Sequence, residues 1–169
     1  MKKPLLSTAI LLLSLSAFSQ LTVSDKCGAI NVDVLDGKIN GMRPNRDMNE
    51  FKKALPCFTA ADEENSGAAC GAALYFKDKD FVLYTDRDYF EFHEKTKAKL
   101  SIPLMGAKKG SLFNHLGNPK LKDGNWEAYQ TSYGILVVFY NPAGTINRVI
   151  ISTQTAETIP VCEKKPALP

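Results

Sequence analysis

Absences narrow this chain first. No apolar run beyond residue 18 is long enough to cross a bilayer. No Cys-x-x-Cys pair and no cysteine/histidine ligand spacing is present, which argues against a redox pair or a metal centre. No nucleophile elbow or serine-triad order is readable. Only His93 and His115 could act as acid–base groups near neutral pH. An excess of one charge is missing too. The 21 basic and 18 acidic residues give +3, and without Lys2 and Lys3 the balance is 19 against 18, or +1. That balance is too even to imply nucleic acid or an anionic membrane surface as a partner, and no nucleic-acid partner is expected.

Two near-motifs dissolve on inspection. Asp78, Asp80, Asp86 and Asp88 fall in two separate turns and lack the fixed spacing of a calcium loop, so they read as solvated turn residues. Gly106 to Ser111 is one residue short of a phosphate loop, with no Lys-Ser/Thr pair after its last glycine. No cofactor and no metal is expected.

What is present begins with an export signal. Lys2 and Lys3 precede an apolar stretch from Leu5 to Phe18, and small residues at Ala17 and Ser19 place cleavage after Ser19. No cysteine sits at that point, so a lipid anchor is not expected. The protein is read as exported, periplasmic or secreted. The expected organisation is a signal over 1–19, one domain over 20–162 and a flexible tail over 163–169.

An exported chain with four cysteines is expected to hold two disulfides. Three connectivities are possible. The favoured one joins Cys57 to Cys70, across a small acidic loop, and Cys27 to Cys162, tying the domain's ends.

The hydrophobic pattern predicts an α+β fold: a largely antiparallel sheet with short helices on one face. Strands are expected over Ala29–Leu35, Ala72–Lys77, Phe81–Thr85, Tyr89–His93, Trp126–Thr131, Ile135–Tyr140 and Ile146–Ser152, with a short return at Lys38–Gly41. Alternate lysines predict an exposed edge strand over Glu94–Leu100. Thr59 to Ala69 reads as a loop. Asp47 and Glu50 fit a capping box for a helix stopped by Pro56, and Ser111 can cap a second helix over Leu112–Leu116. Gly41 to Phe76 has an echo in Gly106 to Phe139, which suggests two weakly similar α/β units over about 29–100 and 101–162.

The echo aligns Ala72, Leu74 and Phe76 with Ile135, Val137 and Phe139, and predicts that both sets lie under the helices. The opposite face, with Tyr75 in one half and Leu136, Val138 and Tyr140 in the other, is then an open, tyrosine-bearing surface suited to a protein partner. The candidate partner-binding residues are Tyr75, Tyr89, Trp126, Tyr129, Leu136, Val138 and Tyr140. No catalytic set is assigned. An alternative is a small envelope hydrolase using His93 with Glu91 or Glu94, and another is a structural envelope component.

In the second half, Gly110-Ser111-Leu112, Leu116-Gly117-Asn118-Pro119, Trp126, Tyr129, Gly134-Ile135, Phe139 and Gly144-Thr145-Ile146 fall in order. This pattern resembles the SmpA/BamE-like and β-lactamase-inhibitor-protein (BLIP)-like small envelope domains. The resemblance covers about 50 residues. It reaches the first half only through the echo, where Ala54-Leu55-Pro56 replaces Leu-Gly-x-Pro. It implies tandem units and a non-enzymatic module, inhibitor-like or immunity-like, that occludes another exported or envelope protein through the open sheet face.

Overall fold

A computed structural model describes residues 27–159 and 161–162. The expected signal over 1–19 and the tail over 163–169 lie outside those residues. The first helix, α1 (Met48–Ala54), starts where Asp47 accepts a hydrogen bond from the Asn49 amide at 2.7 Å. It stops two residues before Pro56. Ser111 does not cap the second helix. Its hydroxyl donates to the Lys108 carbonyl at 2.6 Å, and α2 is reduced to Phe113–Leu116.

The strands form a small and a large sheet. The small one joins β1 (Asn31–Asp33), β2 (Lys38–Ile39) and β7 (Lys99–Leu100) in the order β2-β1-β7. The edge strand expected over Glu94–Leu100 therefore shrinks to two residues. It pairs parallel with β1 rather than bordering the main sheet. The large sheet contains β3 (Ala60–Asp62), β4 (Ala73–Phe76), β5 (Phe81–Tyr84), β6 (Tyr89–His93), β8 (Leu121–Asp123), β9 (Trp126–Gln130), β10 (Ile135–Tyr140) and β11 (Ile146–Ser152). Its order is β3-β4-β5-β6-β11-β10-β9-β8, antiparallel throughout. It thus consists of two four-stranded meanders joined through their last strands. β3 lies inside the stretch expected to be a loop. Both edge strands, β3 and β8, are only three residues long, which limits pairing with other chains.

Turn chemistry shapes the first meander. A short 3-10 turn separates β4 from β5, and another separates β5 from β6. Each closes on an aspartate in the left-handed region, Asp80 at φ 56° and Asp88 at φ 52°. Aspartate tolerates that region better than most side chains. In the second meander Gly134 opens β10 at φ 149°, where a Cβ would come within 2.4 Å of the Ser152 carbonyl oxygen. Only glycine lets β11 pass that close.

One face of the large sheet carries the main core. Leu74, Leu83, Phe90, Ile151, Leu136 and Tyr129 face one another in a continuous row across six strands. Phe51, Leu55 and Leu112 from the helical segments and Val32 and Ile39 from the small sheet pack on this face. The Phe51 ring meets Phe90 edge-on at 5.7 Å and seats α1 on β6. The turn after β1 is held by Tyr133, whose hydroxyl donates to the Val34 carbonyl at 3.0 Å. The Tyr133 ring lies so close over Gly37 that a Cβ there would fall 2.5 Å from it.

Two expectations are corrected here. In β10 the residues under the helices are Leu136, Val138 and Tyr140, while Ile135 and Val137 belong to the opposite face. The echo had paired β4, the second strand of its meander, with β10, the third strand of the other, so the alternation phase did not carry over. The disulfides are Cys27–Cys57 and Cys70–Cys162, with Cα atoms 5.4 and 5.6 Å apart. Spacing along the chain could not choose among the three connectivities. The chosen one follows from where the strands bring Cys70, which sits with Cys162 on the second face. Two disulfides suit a chain that folds in an oxidising compartment.

Two outcomes follow from this architecture. Non-reducing peptide mapping is expected to recover Cys27 linked to Cys57 and Cys70 linked to Cys162. A Cys57–Cys70 peptide would contradict the fold. Phe51 is fully buried, so Phe51→Ala should lower stability by about 3–5 kcal/mol in denaturant unfolding, against less than about 0.5 kcal/mol for the exposed Leu35→Ala.

Candidate functional site

The face opposite the helices is built by the same registers. One row runs from Tyr75 through Val82, Glu91, Ile150 and Val137 to Ala128. Glu91 is the single charge in this apolar row. The next row places His93 opposite Arg148, Arg148 opposite Phe139 and Phe139 opposite Trp126. This second face is not bare. After β11 the chain turns back as a strap, and Ala156, Ile159 and Val161 pack against the sheet. The strap is pinned at Cys162 by the disulfide to Cys70, and the Cys162 amide donates to the Tyr89 hydroxyl at 2.9 Å. At its start, the Gln154 side-chain amide donates to the Asp88 carboxylate at 2.7 Å. Lys120 and Glu157 form an ion pair at 3.3 Å that ties the strap to the β8 side.

Between strap and sheet lies an apolar groove of about 290 Å³. Its floor includes Val137, its walls include Trp126, Phe139 and Ile159, and Leu121 stands at its rim, 42% exposed. Among the described residues, Arg148 is the one charged residue that lines it.

Charges gather at one end of the groove. The Arg148 guanidinium lies 3.6 Å from the centre of the Phe139 ring, a cation–π stack. Its nearest carboxylate is Glu91, at 3.7 Å. Among the described residues, the guanidinium donates no hydrogen bond. Glu91 is nearly buried. One of its oxygens contacts His93 Nε2 at 2.9 Å, and the other, Oε2, has no hydrogen-bond partner among the described residues. His93 Nδ1 faces Asp80 at 3.4 Å. Donation to the Glu91 carboxylate raises the His93 pKa above its ordinary value, against the opposing effect of burial. Burial first, and then the Glu91 charge, push the nearby Tyr84 phenol up to about 12.

The seven residues expected to meet a partner divide between the two faces. Trp126 lines the groove. Tyr75 and Tyr89 are on the same face but buried, and the Tyr75 hydroxyl donates to Asp62 at 2.7 Å. Tyr129, Leu136, Val138 and Tyr140 lie in the core under the helices instead. There both tyrosine hydroxyls donate to Glu127 Oε2, at 2.7 and 2.5 Å. Burial, reinforced by that carboxylate, raises both phenol pKa values. Sequence reasoning missed Phe139, Arg148 and the strap residues. The strand pattern did place Phe139 opposite Tyr140, but it had assigned Phe139 to the core. His93 is paired with Glu91 rather than Glu94.

Comparison with family models, curated proteins and solved structures finds no match. Among the described residues no helix is long and apolar enough to cross a membrane, and no cluster of potential ligands could hold a metal ion.

The His93 contacts carry a pH signature. A histidine whose pKa rises on folding stabilises the fold below its unfolded value, near 6.5, and that contribution is lost as pH rises through the folded value. The stability gap between the native protein and His93→Gln should therefore be widest below about pH 6.5 and close as the pH is raised. Denaturant midpoints measured across this range check it, and a gap that widens with pH would contradict the pairing.

Proposed function

We propose that this chain is an exported, non-enzymatic protein-binding module, inhibitor-like or immunity-like, that occludes its partner with the groove end of its second sheet face. The observation that carries the reading is the groove itself. An apolar channel walled by Trp126 and Phe139 and flanked by Arg148 has the residue types that dominate binding energy in protein interfaces. The anchors are therefore Trp126, Phe139 and Leu121 rather than the tyrosines of the helix-facing core. Two meanders, each preceded by a short helix, support a two-unit architecture like that of the tandem inhibitor-type envelope domains. The two disulfides support export.

The hydrolase alternative has the His93–Glu91 contact in its favour. Against it, Asp80 faces the other ring nitrogen, so neither nitrogen is left to take a proton from a substrate. The groove also opens beside Arg148, not beside His93.

Affinity capture from the native periplasm or culture medium, read by mass spectrometry, tests the reading. Trp126→Ala with Leu121→Asp should reduce capture of the specific partner by about thirtyfold while the protein stays folded. Phe113→Ser, at an exposed position on α2, should leave capture unchanged. Equal capture by all variants, or loss only in the Phe113 variant, would move the interface off this face.

A further inference from the structure

The groove and the cation at its edge have a chemistry of their own. Its walls are apolar, and its volume of about 290 Å³ lies at the small end of the range of about 300–1,000 Å³ found for small-molecule sites. The cation is unusually prepared. Arg148 is held over the Phe139 ring, its side chain is 31% exposed, and its hydrogen-bonding fork is unengaged among the described residues. A guanidinium fork matches a carboxylate in shape and charge. Glu91 is the competing anion: its Oε1 forms an ion pair with Arg148 at 3.7 Å, too long for a hydrogen bond, and is shared with His93 Nε2 at 2.9 Å, which leaves the fork's hydrogen-bonding capacity open. The other charged pair beside the groove, Lys120 with Glu157, satisfies itself.

We propose that the groove is a binding site for a medium-chain aliphatic carboxylate, with its chain between Trp126, Val137 and Ile159 and its carboxylate on the Arg148 fork. The lining fits a flexible apolar chain, since Arg148 is the only charge along it among the described residues. The small volume favours a medium chain over a full-length lipid. The proposal goes beyond the protein-partner reading and is tested without one, so failure of protein capture leaves it standing and its own failure leaves capture untouched.

Trp126 is the only tryptophan in the chain, so its fluorescence reports on the groove alone. Purified protein is titrated with decanoate below its micelle concentration, with decanol and decylamine as head-group comparisons and octanoate as the shorter chain. Decanoate is expected to give a saturable emission change and to bind at least about tenfold more tightly than decylamine or decanol. Each methylene added between octanoate and decanoate should tighten binding by about fourfold. Arg148→Gln should remove the preference for carboxylate while the thermal midpoint is kept. If that variant does not fold, Arg148→Lys, which keeps the charge but not the fork, should still weaken decanoate binding severalfold. The proposal is overturned by an absence of saturable change, by equal or tighter binding of decylamine, which would place Glu91 in control, or by undiminished preference for carboxylate in the arginine variants.

Discussion

The pairing of β6 with β11 holds this molecule together. It joins strands more than fifty residues apart in sequence through five residue pairs, from Tyr89 opposite Ser152 to His93 opposite Arg148. Without it the two meanders would each expose an apolar strand edge, an invitation to association with other chains. With it, Phe90 and Ile151 become neighbours at the centre of the main core, and Glu91 and Ile150 at the centre of the other face. The same seam brings Arg148 from one meander beside Glu91 and His93 from the other. Both the core and the charged end of the groove therefore depend on a long-range contact, whose closure entropy must be met before any local gain appears.

Each face of the sheet also buries one glutamate, and the two are treated differently. On the helix side, Glu127 receives two tyrosine hydroxyls on one oxygen, a satisfied network that fixes β9 against β10 and orders the core. On the other side, Glu91 has one oxygen engaged by His93 and one without a partner among the described residues. Stability alone selects against a buried unpartnered acceptor. Its survival beside the groove marks this face, rather than the helix-covered one, as the place where structural economy has been relaxed.

Much of the fold was legible in the sequence because strong local signals agreed there. β10 and β11 were placed residue for residue, since β-branched and aromatic runs were bounded by Gly134 and by the Asn141–Gly144 turn. β6 and the aspartate-closed turns before it were equally clear. The edge strands β3 and β8 were not, because each is only three residues long and made of small or charged residues with a single leucine, too short for an alternation pattern. Facing was the deeper failure. Both sides of β10 are apolar, so alternation separates Val137 from Val138 without saying which meets the helices. That error displaced Tyr129, Leu136, Val138 and Tyr140 from core to surface in the sequence reading. Trp126 survived it. Arg148 was invisible as a site residue because its significance lies in what β6 brings beside it.

The disulfide at Cys162 gives the groove a history. One of its walls, the strap through Ile159 and Val161, comes from the most C-terminal described residues, while the sheet beneath is complete by Ser152. During synthesis from the N-terminus the floor can therefore assemble before the wall is made. The covalent anchor of the wall is made when Cys162 finds Cys70, 92 residues upstream. Maturation of the groove is thereby coupled to oxidation of the chain. A molecule that still carries free thiols at these two positions can have a folded sheet and yet an unfinished groove.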